Sequence, residues 1–237
     1  MRKTTQAQID LIKHFANLCQ KNQVWYVLDG ASLLSAHRHG GFSLLSSHLE
    51  VLMSVESYRQ LAKIAPQQVV DSFIDPRYKQ LGASYVWDRK NWLKQSQHIK
   101  IRILVPSTTE KVKRFRSWKN FWLKKRFSYA DNLWSAIEEL HDHQPSGFYL
   151  LGQRGESVKR SWIVHFDPQT VEVSFHQMKL PCARNYPYLL ERFFGSDWQT
   201  NQKFKNGYHY LTPLKRKRIK EDIWNKQPKQ KLEPTVS

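Results

Sequence analysis

Asp29, His37, Arg38, His39, His48 and Glu50 crowd into one short stretch of the chain, drawn together by two tight turns at Asp29-Gly30 and Gly40-Gly41. Two carboxylates can take protons or hold cations, and the imidazoles titrate near neutrality. Arg38 offers a planar fork that fits a phosphate. A strand end running into a helix start, around Gly30 and Ser32, is also where backbone N–H groups can meet an anion. The purely structural alternative has Asp29 closing its turn, Arg38 paired with it and His48 exposed.

The elements that must hold these groups are readable from the pattern. Val24 to Leu28 is an apolar, β-branched and aromatic run suited to a buried strand, ended by the Asp29-Gly30 turn signal. Ser32 is expected to cap a short helix with Leu33, Leu34 and Ala36 inward and His37, Arg38 and His39 at its end. After Gly40-Gly41 a strand over His48 to Ser54 alternates, with His48, Glu50 and Leu52 on one face and Leu49, Val51 and Met53 on the other.

Leu28-Asp29-Gly30, Leu33-Leu34, Ala36, Arg38-His39 and Gly41-Phe42 form an ordered series. A second series follows much later: Leu180-Pro181, Asn185-Tyr186, Tyr188-Leu189, Phe194-Gly195 and Asp197-Trp198. Together they resemble the opening and closing motifs of the LicD and fukutin family of phosphotransferases, over roughly Gln23 to Trp198. That resemblance implies an α/β fold of nucleotidyltransferase type, a mixed sheet flanked by helices. It also implies transfer of a phosphoalcohol such as phosphocholine from a CDP-linked donor to a cell-surface glycan, as in lipopolysaccharide, teichoic acid or capsule synthesis.

The family carries an acidic cluster after Gly-Phe that holds a divalent metal against phosphate. This chain has Leu45-Ser46-Ser47-His48-Leu49-Glu50 there, so His48 and Glu50 stand at the metal positions. A further family carboxylate falls on a later strand, and the matching strand, Ile99 to Val105, carries Arg102. Carried over position by position, the resemblance makes Asp29, His48 and Glu50 the catalytic groups and Gly30, Ser32, Arg38 and His39 the phosphate-binding ones; Arg102, standing where the family has a carboxylate, is expected to neutralise phosphate charge itself. Magnesium or manganese is the implied cofactor, held by His48 and Glu50. One Glu, one imidazole and an arginine make a poor magnesium shell, because that ion takes a near-octahedral set of oxygens. The expectation is a phosphotransferase with altered or lost metal dependence, or a silent member that binds nucleotide, glycan or a partner protein.

Composition bounds the rest. The 237 residues are 40% hydrophobic, enough for one substantial core, expected over residues 1–214 with a basic tail at 215–237. Two cysteines, Cys19 and Cys182, suggest no disulfide framework, and no apolar run reaches a membrane span, so a cytoplasmic place is expected. The formal charge of +18 favours polyanions. Lys111 to Phe127 interleaves eight cations with five aromatics, which suits an anionic membrane surface at the inner face or simply a solvated basic helix. Nucleic acid is the least expected partner, since no helix-turn-helix, zinc-finger or RNA-recognition signature is present. His141-Asp142-His143 sits in a loop without further ligands and is not read as a metal site.

Further helices are expected over Thr5 to Lys21, from Ser54 towards Pro66, over Tyr129 to His141 and over Tyr186 to Phe194. Strands are expected over Gln68 to Ile74, Ser84 to Asp88, Phe148 to Leu151, Trp162 to Phe166 and Val171 to Phe175.

Overall fold

The first helix, α1 (Gln6–Lys21), turns Leu11, Ile12, Phe15 and Cys19 into the core and leaves Ile9 and Leu18 half-buried. Phe15 anchors it by edge-on ring contacts to Tyr26 and Tyr85. The computed structural model describes residues 6–42, 49–78, 80–95, 97–115, 132–152 and 164–200. His48, the basic stretch from residue 116 to 127 and the tail at 215–237 lie outside the described residues. Packing divides the chain into two compact units, Met1–Tyr186 and Pro187–Ser237.

The first unit is mixed α/β. Its main sheet runs β1 (Val27–Leu28), β2 (Leu49–Ser54), β5 (Ile99–Ser107), β4 (Ala83–Tyr85) and β3 (Val69–Asp71), with β6 (Gly147–Leu151) also paired to β5. β2 and β5 are parallel and the other pairs antiparallel. Burial explains why β5 is central: Ile99, Ile101, Ile103 and Val105 are all buried along one side. On the other side Leu104 joins Val27 and Leu52 in an apolar cluster, but Lys100 and Arg102 interrupt that face.

Helices pack against this sheet. α2 (Gly30–His39) and α3 (Val55–Ile64) both contact β2. Ser54 caps α3 as its sequence implies, accepting the Ser57 N–H at 3.1 Å. α4 (Thr109–Phe115) and α5 (Leu133–Leu140) pack on each other, and Asn132 caps the latter. A short 3₁₀ helix, Arg89–Lys94, follows β4. Of the run expected as a strand over Trp162 to Phe166, the described part contributes a single bridge, Val164 to Phe148.

A separate two-stranded sheet, β7 (Thr170–Phe175) and β8 (Met178–Ala183), follows, with β8 beside β1 and β7 beside α2. β8 has no clear strand signal because Pro181 interrupts it. A two-stranded ribbon is all edge, however, so a missing N–H is tolerated there. The helix α6 (Tyr186–Phe194) ends at Gly195, whose φ of 106° and N–H to Glu191 C=O at 2.8 Å fit the expected stop.

Candidate functional site

Asp29 ends β1 and caps α2. Its Oδ1 accepts the Gly30 N–H at 2.7 Å, and its carbonyl accepts Ser32 N–H at 3.0 Å and Leu33 N–H at 3.1 Å. Gly30 sits at φ 49°, a left-handed conformation that a side chain would strain. The expectation that Ser32 caps this helix is corrected: the helix begins two residues earlier. The Ser32 hydroxyl instead accepts the Glu50 N–H at 2.8 Å, while Asp29 N–H donates to the Glu50 carbonyl at 2.9 Å. One side-chain and one backbone hydrogen bond therefore fasten the start of α2 to β2.

The carboxylates meet two cations. Glu50 Oε2 accepts the Ala31 N–H at 3.0 Å, and Oε1 lies 3.6 Å from Lys100 Nζ. Asp29 Oδ2 accepts the Nε–H of Arg102 in a largely buried ion pair. The first N–H groups of α2 are thus already taken by the chain's own acids. Phosphate recognition by that helix start, an expectation from the sequence, would have to displace them. Burial raises the Glu50 carboxyl above its ordinary value; Lys100 and Arg102 pull it down, Asp29 pushes it up and the Ala31 N–H lowers it, with burial prevailing.

Register explains the placement. Glu50 pairs with Lys100 and Leu52 with Arg102, and alternation keeps Lys100 and Arg102 on one face of β5. β4 pairs with Ile99 to Ile101 and β6 with Ile103 to Ser107, so both ladders, continued by one residue, arrive at Arg102. The arriving residues are Gly82 and Gly152. A Cβ on Gly152 would lie 2.7 Å from Arg102 Cδ, and one on Gly82 would lie 2.5 Å from the Ile101 carbonyl oxygen. Glycine at 152 leaves room for the Arg102 stem, and glycine at 82 lets its backbone come close to the Ile101 carbonyl. Glu50, Lys100, Arg102, Gly82 and Gly152 line one small cleft there, of about 20 Å³. That is room for a water, not a nucleotide.

The remaining expected site residues lie elsewhere. Arg38 and His39 are on the last turn of α2, roughly 12 Å along the helix from Gly30 at its 1.5 Å rise. There the turn joining β7 to β8 meets the Gly40-Gly41-Phe42 loop. His176, at φ 54°, donates its N–H to Gly40 C=O at 2.5 Å, and its Nε2 accepts the Phe42 N–H at 3.2 Å. A Cβ on Gly41 would be 2.8 Å from the His176 ring. His37 stacks on Tyr186 with ring centres 3.9 Å apart. Burial lowers both His37 and His176 below the usual imidazole value. Sequence reasoning missed Lys100, Gly82, Gly152 and His176. Lys100 alone had a signal, the Ile99-Lys100-Ile101-Arg102 alternation.

The resemblance implies a divalent metal held by carboxylates. Among the described residues no three His, Cys, Asp or Glu side chains gather as a ligand set, and Asp29 and Glu50 are each engaged by a cation. These residues do not fit a magnesium shell of oxygens. No helix among the described residues is long and apolar enough to cross a membrane. No family model matches this chain, and no curated protein matches it in sequence.

Proposed function

We propose that this chain is a LicD-like phosphotransferase of nucleotidyltransferase-like fold that handles its phosphate with protein cations in place of a carboxylate-held metal. The observation that carries this reading is the cleft itself: a carboxyl raised by burial, Glu50, beside Lys100 and Arg102. A buried acid with a displaced titration in a cleft is a candidate general base.

In this reading a CDP-linked alcohol brings its diphosphate to Lys100 and Arg102. The acceptor glycan hydroxyl attacks the phosphorus bearing the alcohol, the bond from that phosphorus to the CMP oxygen breaks, and CMP leaves with the electron pair. Glu50 takes the hydroxyl proton. Phosphoryl transfer asks mainly for positioning and charge neutralisation, which two cations on one strand can supply. The cleft must widen to admit such a donor.

A second reading, a catalytically silent binder of phosphorylated ligands or of a partner protein, is favoured by the tight Asp29–Arg102 pair and the water-sized cleft. One experiment separates them. CMP release from CDP-choline or a CDP-alditol, in the presence of candidate glycan acceptors and EDTA, supports transfer if Glu50→Gln abolishes it. Calorimetric binding of the donor without CMP release supports the silent reading.

A further inference from the structure

The large apolar side chains that stay exposed are not scattered. Among the described residues they are Ile64, Phe73, Trp87, Leu93 and Val171, and the first four belong to segments tied together at the β3 edge of the sheet. Phe73 is 62% exposed, Leu93 59%, Trp87 40% and Ile64 37%. Single exposed apolar residues are ordinary, but four on linked segments are not.

The links are specific. Trp92 packs on Val70, Tyr78 and Val86, and its Nε1 donates to Asp75 Oδ2 at 2.8 Å, joining the 3₁₀ helix of Leu93 to the loop of Phe73. Arg89 N–H donates to the Gln67 carbonyl at 2.7 Å, and Val86 N–H to the Gln68 carbonyl at 2.8 Å. Those bonds bring the Trp87 segment to the chain just after Ile64. Trp87 N–H also donates to Gln95 Oε1 at 3.1 Å, closing the loop around the 3₁₀ helix.

Charge on these segments has one sign left over. Lys63, Arg77 and Lys90 are exposed and Arg89 half-exposed. Three acids lie on the same segments: Asp75 holds Arg77 and Trp92, Asp71 is buried against the Tyr58 hydroxyl, and Asp88 accepts Lys90 N–H and the Asn91 side-chain amide, so Lys63, Arg89 and Lys90 outnumber the one acid, Asp88, that is neither buried nor paired with a cation. Apolar tips, a tryptophan and surplus cations on latched loops are the combination that seats in the headgroup layer of an anionic bilayer.

We propose that this edge, with Phe73 and Leu93 as its inserted tips and Lys63, Arg89 and Lys90 around them, is a peripheral docking surface for anionic lipid bilayers. It is separate from the Glu50–Arg102 cleft and does not rest on the phosphotransferase reading. It is also distinct from the basic stretch beyond residue 115, which lies outside the described residues.

The test uses the full chain, with vesicles of phosphatidylcholine and vesicles of phosphatidylcholine plus phosphatidylglycerol. Sedimentation with the anionic vesicles alone is expected, and Phe73→Ser with Leu93→Ser should weaken it about tenfold or more. Val171→Ser, on the separate hairpin, should leave it unchanged. As a check independent of that double variant, Leu93→Cys carrying an environment-sensitive fluorophore should shift to the blue on anionic vesicles. Unaltered sedimentation of the double variant, or a probe that stays in water on bound vesicles, overturns the proposal. So does an oligomer of the wild-type chain that the double variant dissolves, because the occupant is then a second copy.

Discussion

Arg102, in the middle of β5, donates its Nε–H to the Asp29 carboxylate at the first turn of α2 and so ties the centre of the sheet to the helix start. The pair is mostly out of water, so its two halves are unequal to remove. Arg102→Ala leaves a buried carboxylate that also caps the helix, and a cost of about 2–4 kcal/mol in urea unfolding is expected. Asp29→Asn with Arg102→Met removes both charges while keeping a cap, and should recover at least half of that loss.

The seam beneath Arg102 makes a second test. Alanine at Gly82 would drive a Cβ to 2.5 Å from a strand carbonyl, whereas at Gly152 it meets the Arg102 stem at 2.7 Å. Backbone in the centre of a sheet cannot give way, but a side chain can. Gly82→Ala should therefore lower stability by about 2–3 kcal/mol, at the upper end of overpacking costs. Gly152→Ala should lose roughly 1 kcal/mol and chiefly displace Arg102. Chemical denaturation of the two variants checks the order.

The hairpin turn gives a pH dependence. His176 Nε2 accepts an N–H, a role open only to the neutral ring, and its folded titration lies below the ordinary 6.5. The unfolded chain therefore binds this proton first as acid is added. The His176 contribution is whole above pH 6.5 and is lost as pH falls below it towards the folded value. His37 acts in the same sense. Glu50 acts in the opposite one: its folded value lies above 4.5, so stability gains as pH falls through that window. Melting temperatures between pH 7.5 and 5.5 should fall for the unaltered protein and fall less for His176→Gln.

What the sequence disclosed and what it hid differ by the range of the interactions. The Ser54 cap, the Gly195 stop and the alternation around Glu50 are local, and each is seen in the fold. Asp29, expected as a turn residue, is the α2 cap, three residues before the expected Ser32. Asp29 prevails because its backbone N–H is already fixed to Glu50, a contact with another strand. The Gly82–Gly152 seam and the His176 clasp join residues far apart in the chain. Nothing in Phe175-His176-Gln177-Met178, a turn without Gly, Asn or Asp, announces where its tip will dock.

Two acids and two cations share one face, so the Glu50–Arg102 cleft is close to neutral before any ligand arrives. A divalent ion would have to enter between carboxylates already occupied by Lys100 and Arg102, and would meet their repulsion at short range. Magnesium should bind the unaltered protein weakly, with no heat in titration calorimetry at millimolar concentrations. Phosphorylated ligands should bind equally well in EDTA, and Lys100→Ala should weaken them about tenfold by removing the less committed cation. Supplying an oxygen should reverse the metal result: Arg102→Asp replaces a guanidinium with a carboxylate beside Asp29 and Glu50, and is expected to create manganese binding visible by electron paramagnetic resonance. Tight magnesium binding by the unaltered chain would mean that side chains beyond Asp29 and Glu50 complete a shell, and would sink the metal-free account of this cleft.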